Sequence, residues 1–216
     1  MIVCGEPPIQ QMLSDHSPDP SRYKVNPMNK TSWLVVTTAC VIAVSLRLMA
    51  LPWINFSAMG ALAILCGAVV RPAWLGLLIP LGCRVLTDCV IESRTGYGFY
   101  GSWMFDYSAY VAIFAIGRYL RPSNMLSAFG TGIVAAAAFF VISNFGVWCM
   151  PQDGGQFLYP RTLAGLATCF VNAIPFARGT FAGDVGFSIV FFGALQMLAV
   201  TSTSKETAAK TASAEV

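Results

Sequence analysis

Charge is scarce in this chain. Lys, Arg, Asp and Glu make up 11% of its 216 residues, against about 25% in ordinary soluble domains. Histidine is scarcer still: the only one is His16, in a polar stretch near the start. One isolated histidine excludes His-dependent metalloprotease motifs, Ser–His dyads and bis-histidine haem ligation. No glycine loop with a following lysine occurs, so the chain has no phosphate cradle of its own. The seven cysteines are odd in number and form no CxxC pair, which argues against a disulfide framework or a thiol metal site. Most lie in apolar runs, where a free thiol behaves as a small hydrophobe. Cys89 and Cys149 fall near one membrane face, but no bridge between them is expected.

What is present is apolar length. Hydrophobic residues make up 56% of the chain and the mean hydropathy is +0.65. The expected class is an all-α polytopic membrane bundle. Its spans fall at residues 33–51, 56–70, 73–91, 105–120, 125–148 and 179–200, with a short re-entrant or peripheral helix at 161–176. The segment at 56–70 is short against the roughly 20 residues of a full crossing. Residues 1–30 are polar and proline-bearing, with no apolar signal-peptide region; a disordered tail is expected, and Met28 is a candidate start. Residues 31–200 form the bundle. Residues 201–216 are small and polar, a second disordered tail.

Lys and Arg set the orientation. With six spans, one side collects most of them, including Arg71, Arg118 and Arg121, and the other receives Arg94, Arg161 and Arg178. The positive-inside rule then places both termini in the cytoplasm. A seventh crossing at 161–176 would weaken that bias. The net charge of +3 arises mostly at segment ends, so it records topology and gives no reason to expect nucleic acid as a partner.

Under this threading the intramembrane ionisable residues Arg47, Arg84, Asp88, Asp106 and Asp184 all fall in the outer leaflet. A charge at membrane depth is costly, about 2.5–3.5 kcal/mol at a helix centre, and by default marks function. Arg84, Asp88 and Glu92 share a helix face at i, i+4, i+8. The expected polar site is Arg84, Asp88, Asn144 and Asp184, with Arg47 and Asn55 at its mouth. Trp148, Tyr97, Tyr100 and Tyr107 are expected as stacking walls. The glycine-aromatic loop 92–104 could close over it as a lid. The bland reading is a buried ion-pair network that only fixes helix packing, and Arg47 could simply snorkel outward. No metal or cofactor is expected.

Two resemblances follow from particular blocks. Asn55-Phe56-Ser57-Ala58-Met59-Gly60, Ser143-Asn144-Phe145-Gly146-Val147-Trp148, Tyr159-Pro160-Arg161-Thr162-Leu163-Ala164 and Ile174-Pro175-Phe176 through Gly183-Asp184 resemble an uncharacterised family of bacterial multi-pass membrane proteins. The wider layout, with Pro175-Phe176 and Gly183-Asp184 opening the last span, resembles the substrate-binding S components of energy-coupling-factor vitamin transporters. The spacing here is longer than in the biotin type, and the lysine that follows the aspartate there is absent. That likeness implies a bacterial inner-membrane subunit, not an enzyme. It would capture a small polar solute from outside and depend on ATPase and coupling subunits. It also implies that Ala39 and Ala43 form a small-residue face towards the coupling subunit. A structural or assembly protein, and an enzyme using Asp88 and Asp184 as acid and base, are the alternatives.

Overall fold

The computed structural model describes residues 30–49, 55–152 and 155–214. The expectation for residues 1–29 lies outside them. Among the described residues six helices follow in order: α1 (Lys30–Leu48), α2 (Met59–Val69), α3 (Ala73–Thr95), α4 (Trp103–Leu120), α5 (Met125–Cys149) and α6 (Leu163–Ala214). No strand occurs among the described residues. Helix is what apolar surroundings demand, because it satisfies every backbone group within its own segment.

Local chemistry sets several boundaries. Pro72 precedes the first residue of α3, and Gly96 ends that helix in the left-handed region at φ 75°, where glycine carries no Cβ penalty. Asn124 caps α5 with a reciprocal box: its side chain accepts from the Ser127 amide, and the Ser127 hydroxyl accepts from the Asn124 amide. Two unsatisfied helix-end donors are thereby met.

Among the described residues four segments are long and apolar enough to cross a bilayer: Lys30–Leu48, Ala73–Thr95, Met125–Cys149 and Leu163–Leu198. This marks the chain as a membrane protein. The 11-residue α2 rises only about 16 Å, and α4 carries Asp106, Arg118 and three tyrosines. Large apolar side chains point outward on the long helices, among them Val41, Leu78, Leu126 and Val171, while several charges point in. Water would favour the reverse.

The centre of the bundle is α2. Met59 through Gly67 are all buried, enclosed by α1, α3, α4 and α6. Ala39 and Ala43 are fully buried in the same core. They were expected to face a coupling subunit; their small side chains instead let α1 close on its own neighbours.

The last helix differs most from expectation. Residues 161–176 do not form a separate peripheral helix: residues 163–176 open the continuous 52-residue α6, with Pro175 inside it. A proline frees one carbonyl and forces a local adjustment, but leaving the helix in an apolar setting would strand many more backbone groups. The helix also runs past Val200 to Ala214. The expected tail of 201–214 is therefore helical, since extending an existing helix needs no new nucleus and Ala, Lys and Glu favour it.

Pairing with α5 shows what the proline stretch does. Cys169 on α6 donates to the Asn144 carbonyl on α5, and Gly132 on α5 meets Val185. Residues 132–144 thus face residues 169–185, so α6 carries about one turn more chain than α5 there. Pro175 lies in that surplus, and beside it a cavity opens.

Candidate functional site

The charged cluster forms where the ends of α1 and α3 meet the start of α4. Arg84 and Asp88 are one turn apart on α3, with Nε to Oδ2 at 2.7 Å. Arg84 also donates through Nη2 to Asp106 Oδ2 at 3.1 Å and through Nη1 to the Tyr110 hydroxyl at 3.4 Å. From the last turn of α1, Arg47 donates through Nη2 to Asp88 Oδ1 at 2.5 Å and through Nε to Thr87 Oγ1 at 3.0 Å. The Tyr107 hydroxyl donates to Asp88 Oδ2 at 2.8 Å, and the Tyr100 hydroxyl donates to Asp106 Oδ2. Asp88 is wholly buried, and Arg84 and Asp106 are 2% exposed.

Such a cluster persists in an apolar setting only because it is closed. Each carboxylate is matched by a guanidinium and also accepts from a phenol hydroxyl, which offsets the cost of burying the ions. The Arg84 guanidinium also lies over the rings of Tyr110 and Tyr107, 5.4 and 5.9 Å from their centroids.

Beside the cluster lies a cavity of about 570 Å³, within the usual range for small-molecule sites. Arg47, Arg84, Asp106, Tyr100 and Tyr110 line it on the charged side. Ser143 and Asn144 of α5 and Asn172 and Thr180 of α6 face it from across, with Asn55 and Tyr159 contributed by loops. Phe139 and Phe140 supply apolar wall.

Of the residues expected at the site, Arg84, Asn144, Arg47, Asn55 and Tyr100 line the cavity. Asp88 and Tyr107 stand behind the wall, where they hold the two arginines. Asp184 is not brought into the cluster. Its Oδ1 accepts from the Ala61 amide at 3.3 Å, so a carboxylate sits on the N-terminus of the buried α2, where unpaired amides and the helix dipole favour negative charge. It forms no ion pair among the described residues.

Two aromatic expectations are corrected. Tyr97 is 68% exposed on a loop that turns it outward. Trp148 donates its indole N–H to the Pro160 carbonyl at 3.0 Å and packs under Arg161; it fastens the α5–α6 corner. The glycine-aromatic loop, expected as a lid, is tied down at two points in this structure. Glu92 accepts from the Gly98 and Phe99 amides at 2.8 and 3.2 Å, and Gly101 packs on the Pro151 backbone. Cys89 and Cys149 are free thiols.

Asp106, Tyr110, Ser143, Tyr159, Asn172 and Thr180 were not singled out for the site. Asp106 and Tyr110 were readable as an i, i+4 pair opposite Arg84. Asn172, Phe176 and Thr180 repeat every four residues on one face of α6, a stripe that vanishes when the chain is broken after Phe176.

Among the described residues no group of three or more His, Cys, Asp or Glu could hold a metal ion. Tyr100 is a titratable group in the loop before α4. Burial first, then the Asp106 carboxylate, pushes its phenol above the ordinary value of 10.0. A raised value means the folded state holds this proton more tightly than the unfolded chain does. The stability it confers is complete below about pH 10 and falls as pH rises beyond it. The melting temperature of the wild type is therefore expected to drop more steeply between pH 10 and 11 than that of Tyr100→Phe, as thermal unfolding across that range would record.

Fold and site together define the class: a polytopic helical membrane protein with a buried, internally paired charge cluster beside a polar cavity. Residues 27–208 match the model of the Family of unknown function (DUF6580), and the chain belongs to that family. No curated protein matches it.

Proposed function

We propose that this chain is a membrane solute-binding subunit that takes a small polar solute into the cavity between α5, α6 and the charged cluster. The observation that carries this is the cavity: about 570 Å³, lined by polar side chains from α1, α3, α4, α5, α6 and the connecting loops. A bundle that needed only packing would fill that space with apolar side chains. All six helices would contribute to crossing the bilayer, with α2 as a half-length element supported by its neighbours. With both termini on the cytoplasmic side of a bacterial inner membrane, as Lys and Arg placement favours, the cavity would open outward.

Transport would require ATPase and coupling subunits, because the chain carries no nucleotide motif. Those subunits would have to dock on a surface other than the buried Ala39–Ala43 face. The closed charge cluster also favours a second reading, in which the network only locks the bundle of an assembly protein. Acid–base catalysis by Asp88 and Asp184 is disfavoured, because Asp88 is saturated by donors and Asp184 caps a helix.

Thermal-shift screening of detergent-purified protein against vitamins, nucleobases, amino acids and sugars separates the readings. The expected result is specific stabilisation by one chemical class. That stabilisation should be lost in Ala173→Trp, whose added ring would occupy the cavity. If no solute acts on the wild type, the locking role stands instead. Turnover of a solute by the isolated chain would favour an enzyme.

A further inference from the structure

The charged wall of the cavity is paired within itself: Arg47 with Asp88, and Arg84 with both Asp88 and Asp106. Arg47, Arg84, Asp88 and Asp106 sum to zero charge. All three guanidinium nitrogens of Arg84 donate within the network, to Asp88, Tyr110 and Asp106. Both oxygens of Asp88 accept, from Arg47 on one side and from Arg84 and Tyr107 on the other. A ligand carboxylate that took Arg84 over from an aspartate would leave that aspartate buried without its counter-charge. A ligand ammonium meets the same obstacle from the opposite sign. In a low-dielectric pocket a broken pair costs more than the new one returns.

The uncharged side of the cavity is different. Asn144 donates one amide hydrogen to the Phe140 carbonyl at 2.8 Å, and Asn172 directs its amide to the Tyr159 hydroxyl at 3.5 Å. A primary amide has two donors and an acceptor oxygen, so each residue still has capacity to offer a ligand. The two amides come from α5 and α6 and flank the same space. Beside them lie flat faces: Phe139, which packs on Tyr110 at 5.4 Å between centroids, and Phe140, which packs on Phe170.

We infer that the ligand is an uncharged planar ring compound whose ring-amide edges pair with the carboxamides of Asn144 and Asn172 while its faces lie on the aromatic wall. The charged cluster then serves as a polar but electrically neutral floor. This rests on the solute-binding reading and narrows it, excluding zwitterions, anions and cations as preferred ligands.

The test is calorimetric titration of the full chain in lipid nanodiscs with five probes. Hypoxanthine and lumichrome are uncharged rings with amide edges. Orotate is an anion, 1-methylnicotinamide a cation and tryptophan a zwitterion. Saturable binding is expected for hypoxanthine or lumichrome and for none of the other three. Asn144→Ala is expected to weaken it about tenfold while keeping the unliganded melting temperature. Tighter binding of a charged or zwitterionic probe overturns the inference and leaves the cavity as a solute site. Silence from all five probes also overturns it; the solute-binding reading falls with it only if the broad thermal-shift screen is silent too.

Discussion

Asp88→Ala is expected to destabilise the protein by about 3–5 kcal/mol, the usual cost of removing one partner from a buried ion cluster. The substitution leaves Arg47 and Arg84 facing each other across the space the carboxylate filled, and it removes the acceptor of the Tyr107 hydroxyl. Asp88→Asn keeps hydrogen-bonding atoms in place but not the charge, so its loss should be smaller. If the damage comes from stranded guanidinium groups, removing one of them should recover part of it. The double variant Asp88→Leu with Arg47→Met is therefore expected to be more stable than Asp88→Ala. Reversible unfolding in detergent micelles measures all three. Equal stability of wild type and Asp88→Ala would show that Asp88 carries no such burden.

The second large effect is expected at Gly60. A Cβ placed there would collide with the Asp184 carboxylate, and one placed on Gly183 would collide with the Ser57 carbonyl. The two glycines let α6 and the start of α2 approach closely enough for Asp184 to reach the Ala61 amide. Gly60→Val would push the carboxylate off the helix end and overpack the junction. A loss of about 3 kcal/mol is expected from the overpacking and the broken contact together. Gly82→Ala is the control: nothing lies within 4 Å of a Cβ there, and a mid-helix alanine is favoured over glycine by about 0.5–1 kcal/mol. The same unfolding measurement should therefore move in opposite directions for the two variants.

Much of this architecture was legible in the chain. Apolar run lengths gave α1 to α5 to within a few residues, because bilayer-scale helices leave strong local marks. The i, i+4 pairing of Arg84 with Asp88 was equally local. What escaped depended on contacts between distant segments. Pro175 reads as a helix end when only its missing donor is considered, yet the apolar surroundings keep α6 continuous. That misreading hid the stripe of Asn172, Phe176 and Thr180, and with it the far wall of the cavity. Asp184 was recognisable as a buried acid, but no spacing rule could reveal that its partner is a backbone amide of α2, more than one hundred residues earlier. Ala39 and Ala43 carry the small-residue signature of a helix contact, and the sequence does not say whether the contacted helix belongs to the same chain.

The most direct measurement is chemical access to the cavity wall. Ser143→Cys is introduced into a cysteine-free background that retains its melting transition, and intact membranes are treated with a membrane-impermeant maleimide. Ser143 lines the cavity, whereas Val134 on the same helix is 49% exposed on the outer surface of the bundle. Labelling is expected at Ser143→Cys from one side of the membrane only, and not at Val134→Cys. A cysteine at 143 that stays unlabelled from both sides would mean that the space is sealed, and the solute-binding account would be contradicted.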